Sequence, residues 1–193
     1  MIKHHLQQGF SLVETLVAIT ILLIVIVGPM TLSTSTARST NFSSEHVQAF
    51  FLAQEGVELM QAYRDDFLLT EFPNVNNGWD DFENINYCFN TSGCGLDVDT
   101  DTEATIAPPI NCASGNNCRV YYDSSDVRAR FNQSGTGDET KYTRVITAEV
   151  IDPTAPQPHE VRVESTVTWR SGNLEDEQEV SVVTYLFNVY ENL

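Results

Sequence analysis

Basic residues are scarce in this chain of 193 residues. It has 10 lysines and arginines against 27 aspartates and glutamates, which gives a formal net charge of −17 at pH 7. Affinity for nucleic acids comes largely from cationic side chains that meet phosphates, so this balance argues against a nucleic-acid partner. The chain also has no long run of like charges, which indicates that its acidity is spread over a solvated surface and does not form a tail.

The motifs that mark common active sites are also lacking. No nucleophile elbow, glycine-rich phosphate loop or HExxH pattern is present. Paired acids such as Asp65–Asp66 are most simply explained as a solvated face of the protein. The sequence therefore predicts that the protein is not an enzyme and needs no cofactor, apart from the calcium ion considered below.

Cysteines are few, and all of them lie in the middle of the chain: Cys88, Cys94, Cys112 and Cys118. An even number in a loop-rich stretch favours disulfides, which persist in oxidising compartments. Spacing alone permits three pairings, and we favour Cys88–Cys94 with Cys112–Cys118 because each closes a short loop. A zinc site is less favoured, since structural zinc usually has about two to four residues between paired ligands. Free thiols and crossed pairings are the remaining alternatives.

One long apolar run is present near the N-terminus, over residues 10–29. At about 1.5 Å per helical residue it spans roughly 30 Å, the thickness of a bilayer core. Lys3 precedes the run, and the next basic residue is Arg38. The positive-inside rule then places the short leader, residues 1–9, in the cytoplasm and everything after the helix outside it.

Glu14 is the only charged residue in this apolar run. A charged side chain costs about 2.5–3.5 kcal/mol at mid-membrane and less near the edge, so a positive partner is expected. Cleavage after Gly9 would create an α-amine on Phe10, in the same chain or in a neighbouring one. At about 4 Å and an effective dielectric near 20, this amine would attract the carboxylate by roughly 4 kcal/mol. A plain single-pass anchor would leave Glu14 unexplained, and the length of the apolar run argues against a buried soluble helix.

The segment Gly9-Phe10-Ser11-Leu12-Val13-Glu14, followed by the apolar run, resembles the prepilin N-terminal cleavage and methylation motif of type IV pilins and type II secretion pseudopilins. The resemblance covers about the first 30 residues closely. It implies that a membrane prepilin peptidase cleaves between Gly9 and Phe10 and methylates the new amine of Phe10. It also implies that Glu14 neutralises the Phe10 amine of an adjoining subunit and sets the register of assembly.

The long helix is expected to continue beyond the membrane. Residues 10–30 would form the transmembrane and polymerisation part, with a kink or local break at Gly28–Pro29. Residues 31–67 would form the exposed half of the helix. Its expected apolar stripe towards a globular head comprises Phe50, Ala53, Val57, Met60 and Phe67. The apolar residues to the side of this stripe are assigned to core packing or to contacts with neighbouring subunits; they are Phe51, Leu52 and Leu59.

Residues 68–118 are predicted to be a cysteine-tied loop region because they show little periodicity. Four carboxylates alternate within this region, in Asp97, Asp99, Asp101 and Glu103. Calcium takes several carboxylate oxygens, and some pseudopilins carry calcium in the head, so the four residues form a weak candidate site. The EF-hand pattern fails here, and an acidic solvated edge is the favoured explanation.

Residues 119–193 are predicted to form the antiparallel sheet of the head. Residues 142–151, 161–170 and 180–190 have the alternating or β-branched pattern of strands, and the last three strands would form a meander packed on the helix. The predicted class is therefore α+β, with a long N-terminal helix packed on a C-terminal antiparallel sheet. This arrangement is similar to that of pilins.

These features favour a structural subunit that polymerises through its N-terminal helix into a pilus-like filament or a secretion pseudopilus. A minor pilin or a pseudopilin is favoured over a major pilin. The expected partners are other pilin subunits, the prepilin peptidase, the inner-membrane assembly platform and, before assembly, membrane lipid. The precursor would lie in the bacterial inner membrane, and the filament would be periplasmic or extracellular. The alternatives are a membrane-anchored extracytoplasmic binding module with an acidic, disulfide-tied head, and a secreted domain freed by cleavage after Ala37.

Overall fold

A computed structural model describes residues 9, 11–85, 87–98, 106–113, 118–125, 129–151, 160–171 and 176–188. The chain divides into two compact units, Met1–Ser44 and Glu45–Leu193. The first unit contains the N-terminal part of a helix. The second contains the rest of that helix and an antiparallel sheet.

Helix α1 spans Leu12–Thr70 and is continuous through Pro29. The local break expected at Gly28–Pro29 is therefore wrong, whereas the kink stays a prediction. Proline removes one helical hydrogen bond, but the residues on both sides retain theirs, and the Thr31 hydroxyl donates to the Gly28 carbonyl at 2.8 Å. The helix also extends past the expected end at Phe67.

The polar stretch of α1 between residues 31 and 44 is helical despite its many hydroxyl side chains. These hydroxyls donate to carbonyls three or four residues earlier at 2.8–2.9 Å, in Thr31, Thr34, Thr36, Thr40 and Ser43. Such bonds let serine and threonine remain inside a helix, although they weaken it slightly. The stretch therefore continues the helix without a buried apolar face, because all its residues are exposed.

In the second unit, α1 buries a stripe centred on small residues. The buried positions are Ala49, Leu52, Ala53, Gly56, Val57, Leu59, Met60 and Leu68. The expected stripe is partly wrong, because Phe50 is 45% exposed, whereas Leu52 and Leu59 belong to the core and Phe51 does not. Small side chains bring the helix backbone close to the sheet, and this close approach leaves no room for a phenylalanine on the central line of contact.

The stretch predicted as a loop contains a second helix and two short strands. Helix α2 spans Val75–Glu83, and it buries Trp79 and Phe82 against the core. Strand β1 spans Cys94–Gly95 and pairs with β2, Ile110–Asn111. The expectation of a loop over residues 68–118 is therefore corrected. The helix is short and its apolar residues are few, so its periodicity does not stand out among the Asn and Asp residues around them.

The larger strands are β3, Arg119–Asp123; β4, Arg130–Asn132; β5, Asp138–Val150; β6, Glu160–Trp169; and β7, Gln178–Phe187. β5 pairs with β6 on one side and with β3 and β1 on the other. β6 then pairs with β7 over ten residues, from Glu160↔Phe187 to Trp169↔Gln178. All of these pairings are antiparallel, so the predicted α+β class and the meander of the last three strands are confirmed.

Alternate residues of β5 and β6 form the inner face of the sheet, on which α1 and α2 pack. The buried positions of β5 are Tyr142, Arg144, Ile146 and Ala148; those of β6 are Val161, Val163, Ser165, Val167 and Trp169. This alternation is the pattern expected of a sheet with one buried face. The intervening residues of both strands, such as Thr143 and Thr166, form the outer face.

Candidate functional site

The candidate site at the N-terminus is built on the first turn of α1. Gly9 and Ser11 precede the helix, and Glu14 lies in its first turn with an exposed side chain. The Thr15 amide donates to the Ser11 carbonyl at 3.1 Å, so Ser11 takes part in the opening turn. A carboxylate near a helix N-terminus is favoured by the helix dipole. Phe10, the predicted methylation position, lies outside the described residues.

Beyond this turn, α1 presents apolar side chains around its whole circumference. Every large apolar residue from Leu12 to Leu32 is between 48% and 79% exposed in the isolated chain. The three threonines of the segment direct their hydroxyls to the helix backbone, Thr15 to Leu12, Thr20 to Val17 and Thr31 to Gly28. A helix that is apolar on every side must be covered by lipid or by other helices. Among the described residues, α1 is the helix whose length and composition would allow it to span a membrane.

Glu14 has no cation within reach along this helix. Arg38 is the next charged residue in the sequence, about 36 Å away along the helix axis. A carboxylate in an apolar setting is costly without a positive partner. The described part of the first unit therefore leaves Glu14 to be neutralised by a group at or before Phe10, or by another molecule.

Residues 4–28 match the family model described as the prokaryotic N-terminal methylation motif. The chain carries the type IV pilin signature. This match confirms the resemblance noted from the sequence and supports a type IV pilin-like or pseudopilin protein. The pilin signature suggests a structural protein, and together with the apolar helix it is consistent with anchoring of the precursor in a membrane.

The pilin signature includes Gly9, Phe10, Glu14 and Gly28, and it ends immediately before Pro29. No curated protein and no solved structure compared with the chain matches it. The head is therefore understood from its own residues alone.

The cysteines of the head are paired as Cys88–Cys94 and Cys112–Cys118. This is the pairing favoured from their spacing. Both bridges lie beside the sheet, because Cys94 is in β1 and the Cys118 carbonyl accepts a hydrogen bond from the Arg144 amide at 3.0 Å. The bridges therefore attach the region before β3 to the central strand β5.

The weak calcium candidate is only partly described, because Asp99, Asp101 and Glu103 lie outside the described residues. Asp97 is buried, and its two carboxylate oxygens accept hydrogen bonds from the amides of Val98 and Gln133 at 2.9 Å. These bonds give Asp97 a structural role in the turn after β4. Within the described part of the chain, no group of three metal-binding side chains converges. The calcium site stays a prediction.

Arg144 is a buried residue of the head that the sequence analysis did not single out. Its guanidinium donates to Glu55 at 2.7 Å, to the Leu96 carbonyl at 2.8 Å and to the Gln133 side chain at 3.1 Å. Its side chain is 2% exposed, whereas that of Glu55 is 42% exposed. The signal in the sequence is a cation at an inward-facing position of a strand, between Tyr142 and Ile146.

A second polar group lies where α1 meets β5. The Lys141 ammonium pairs with Glu45, and the Tyr142 hydroxyl donates to the Gln48 side chain at 3.0 Å. Burial raises the pKa of Tyr142 to about 12, and the negative charge of Glu45 adds to this effect. Burial also acts to raise the pKa of Glu45, but the hydrogen bonds from Lys141 and Ser171 hold this pKa below its ordinary value. These contacts stabilise the helix on the sheet.

Proposed function

We propose that this protein is a structural subunit, a minor pilin or pseudopilin, that polymerises through α1 into a type IV pilus-like filament or a secretion pseudopilus. One observation carries the proposal: the methylation motif over residues 4–28 opens a helical segment, residues 12–32, that is apolar on all sides and has a single carboxylate, Glu14. The minor or pseudopilin assignment rests on the mid-chain position of the cysteines, since many major pilins close a C-terminal loop with a disulfide.

Processing is the first step of the proposed mechanism. A prepilin peptidase cleaves the bond between Gly9 and Phe10 on the cytoplasmic side and methylates the new α-amine. This cleavage removes Lys3 with the leader and replaces it with one positive charge at the end of the apolar segment. The exposed position of Gly9 is compatible with access by a peptidase.

Pairing of charges is the second step. The amine of Phe10 on one subunit neutralises Glu14 of an adjoining subunit, with an attraction of roughly 4 kcal/mol at 4 Å in an environment of intermediate dielectric. Each subunit carries one such amine and one such carboxylate, so the pairing can repeat along a filament. The pair would fix the axial register because a displaced subunit would leave both charges unpaired in an apolar environment.

Helix packing is the third step. Before assembly the apolar side chains between Leu12 and Leu32 contact lipid, and in the filament they contact the helices of other subunits. Lipid and helix surfaces are similarly apolar, so close packing and charge pairing favour the filament more than the hydrophobic effect does. The inner-membrane assembly platform would extract the subunits, and the filament would then lie in the periplasm or outside the cell.

The processing step is tested by mass spectrometry of the protein recovered from the membrane. We expect a mature chain that begins at Phe10 and carries one methyl group on its amine. Retention of residues 1–9 would contradict the proposal. Cleavage after Ala37 would instead support a secreted domain.

The assembly step is tested with Glu14→Ala, and Thr20→Ala serves as a control in the same apolar segment. We expect Glu14→Ala to insert into the membrane normally and to lose sedimentable filaments, because its subunits lack the carboxylate partner. Thr20→Ala should assemble like the unaltered protein, since its hydroxyl bonds only to its own helix. Equal amounts of filament from both variants would contradict the role of Glu14, and an absence of filaments from the unaltered protein would favour the membrane-anchored binding module.

A further inference from the structure

β7 lies at an edge of the sheet. Among the described residues it pairs only with β6, and the pairing runs without a bulge over all ten residues, Gln178–Phe187. Every second residue of an antiparallel edge strand directs its N–H and C=O away from the sheet. β7 therefore presents a long, regular row of backbone groups that can accept a further strand.

The outer side of β7 is apolar towards its C-terminal end. Val183, Tyr185 and Phe187 are 41%, 48% and 49% exposed, and they follow one another on one face. The core does not need these three side chains, because the opposite face of the strand supplies Leu186, which is 2% exposed.

Proteins usually protect such an edge with lysine, proline, a bulge or an inward-pointing charge. From Val180 to Phe187, β7 has none of these features. The adjacent β6 is different, because its outer face carries the ion pair of Arg162 with Glu164 at 2.8 Å. The unprotected segment is therefore confined to the edge strand, where a partner can reach the backbone.

The distribution of charge limits where a second copy of the chain can bind. Two copies with a net charge of −17 repel each other over most of their surfaces. The segment from Val180 to Phe187 carries no charge, so two copies can approach closely there and gain backbone hydrogen bonds. A strongly cationic partner would instead favour the acidic surfaces elsewhere on the chain.

The sequence of β7 is compatible with antiparallel pairing to itself around Val183. In that register Val183 lies opposite the same residue of the other copy, Ser181 lies opposite Tyr185, and Glu179 lies opposite Phe187. The carboxylates of the two Glu179 residues are then kept apart. The outer faces of both strands remain on the same side, because the side-chain period of a strand is two.

We propose that β7 binds β7 of a second copy of this chain, antiparallel and with the two Val183 residues opposite each other, so that two sheets join into one. The contact goes beyond the proposed filament function, because a two-fold pairing differs from the repeated contacts of a filament that grows in one direction. It joins two subunits before assembly, or subunits of neighbouring filaments.

Cysteine cross-linking of the full chain in detergent tests this register. The experiment uses the Glu14→Ala background, so that dimers do not depend on filament formation. Val183→Cys should give a disulfide-linked dimer under mild oxidation, because the two thiols would be opposite each other. Ser181→Cys alone should give roughly tenfold less dimer, since two copies of that residue would lie about 14 Å apart. A mixture of Ser181→Cys and Tyr185→Cys chains should again cross-link.

Thr166→Cys on the outer face of β6 is the matched control, because it lies one strand away from the edge. Dimers of Val183→Cys no more abundant than those of Thr166→Cys would overturn the proposal, and so would equal cross-linking by Ser181→Cys alone. The cross-linking result does not depend on whether the protein forms filaments. A failure here leaves the Glu14 prediction standing, and a loss of filaments in Glu14→Ala says nothing about β7.

Discussion

Two charged residues of this protein occupy apolar surroundings in opposite ways. Arg144 is buried, and its guanidinium is surrounded by acceptors from α1, from the turn after β1 and from the turn after β4. Glu14 lies on an apolar helix, and no cation of the described first unit reaches it. A buried charge with a complete set of partners belongs to the fold, whereas the charge of Glu14 on an apolar surface is the basis of the proposed assembly.

Arg144→Met should destabilise the head strongly. The methionine fills part of the space but leaves the Leu96 carbonyl and the Gln133 amide oxygen without their donor, and it leaves the Glu55 carboxylate without its cation. Each buried acceptor without a donor costs about 1–3 kcal/mol, so the free energy of unfolding should fall by about 3 kcal/mol or more. Denaturant unfolding measures this change.

Arg162→Met is the matched control for Arg144→Met. Arg162 also pairs with a glutamate, but both side chains of that pair are about 30% exposed. An ion pair in such a setting contributes about 0–1 kcal/mol. If the two variants lose similar stability, the structural role assigned to Arg144 is wrong.

At the scale of elements, the contact of α1 with the sheet depends on a residue without a side chain. A Cβ added at Gly56 would lie 2.3 Å from the Ser165 hydroxyl and 3.1 Å from Arg144 Cδ. Glycine inside a helix is normally destabilising by roughly 0.5–1 kcal/mol compared with alanine. Its presence here is explained by the close approach of the helix to β5 and β6.

Gly56→Ala should therefore destabilise the head, although alanine is the better helix former. Overpacking of a core costs about 1–3 kcal/mol, which exceeds the gain in helix propensity. Thermal unfolding should show a lower midpoint for Gly56→Ala. The double variant with Ser165→Gly should recover stability relative to Gly56→Ala, because it removes the hydroxyl that the new methyl group meets. No recovery would contradict this account of the contact.

At the scale of the whole molecule, two disulfides attach an irregular region to the sheet. Cys88 and Cys94 are fully buried, and the Cys88 carbonyl accepts a hydrogen bond from the Ala148 amide of β5 at 2.8 Å. Cys112 is half-buried. A short loop closed by a disulfide contributes about 2 kcal/mol in the chain-entropy description, so both bridges matter for a head with long irregular segments.

Reduction should proceed in a fixed order, with Cys112–Cys118 opening before Cys88–Cys94. A thiolate must reach the sulfur that it attacks, and only the Cys112–Cys118 bridge has a partly exposed cysteine, Cys112. Alkylation at increasing reductant concentration, followed by peptide mass spectrometry, measures the order. The midpoint temperature of thermal unfolding of the same samples should fall in two steps. Earlier opening of the buried bridge would show that access does not control the reaction.

The helix, the meander and the N-terminal motif could be predicted from the sequence, because each depends on local order. The apolar run over residues 10–29 and the alternation in β6 are periodic patterns that report directly on which side chains can be buried. The position of Glu14 five residues after Gly9 needs no tertiary information at all. These features determine the α+β class and the assignment to a pilin-like protein.

The tertiary structure decided which side of α1 faces the sheet, and it placed α2 in the core. Phe50 is more hydrophobic than Ala49 and Gly56. The two small residues nevertheless lie at the contact, because the sheet approaches the helix backbone there. The acceptors around Arg144 come from segments far apart in the chain, so no local pattern reveals them. The unprotected edge of β7 likewise follows from strand order, which depends on long-range pairing and not on the sequence of the strand alone.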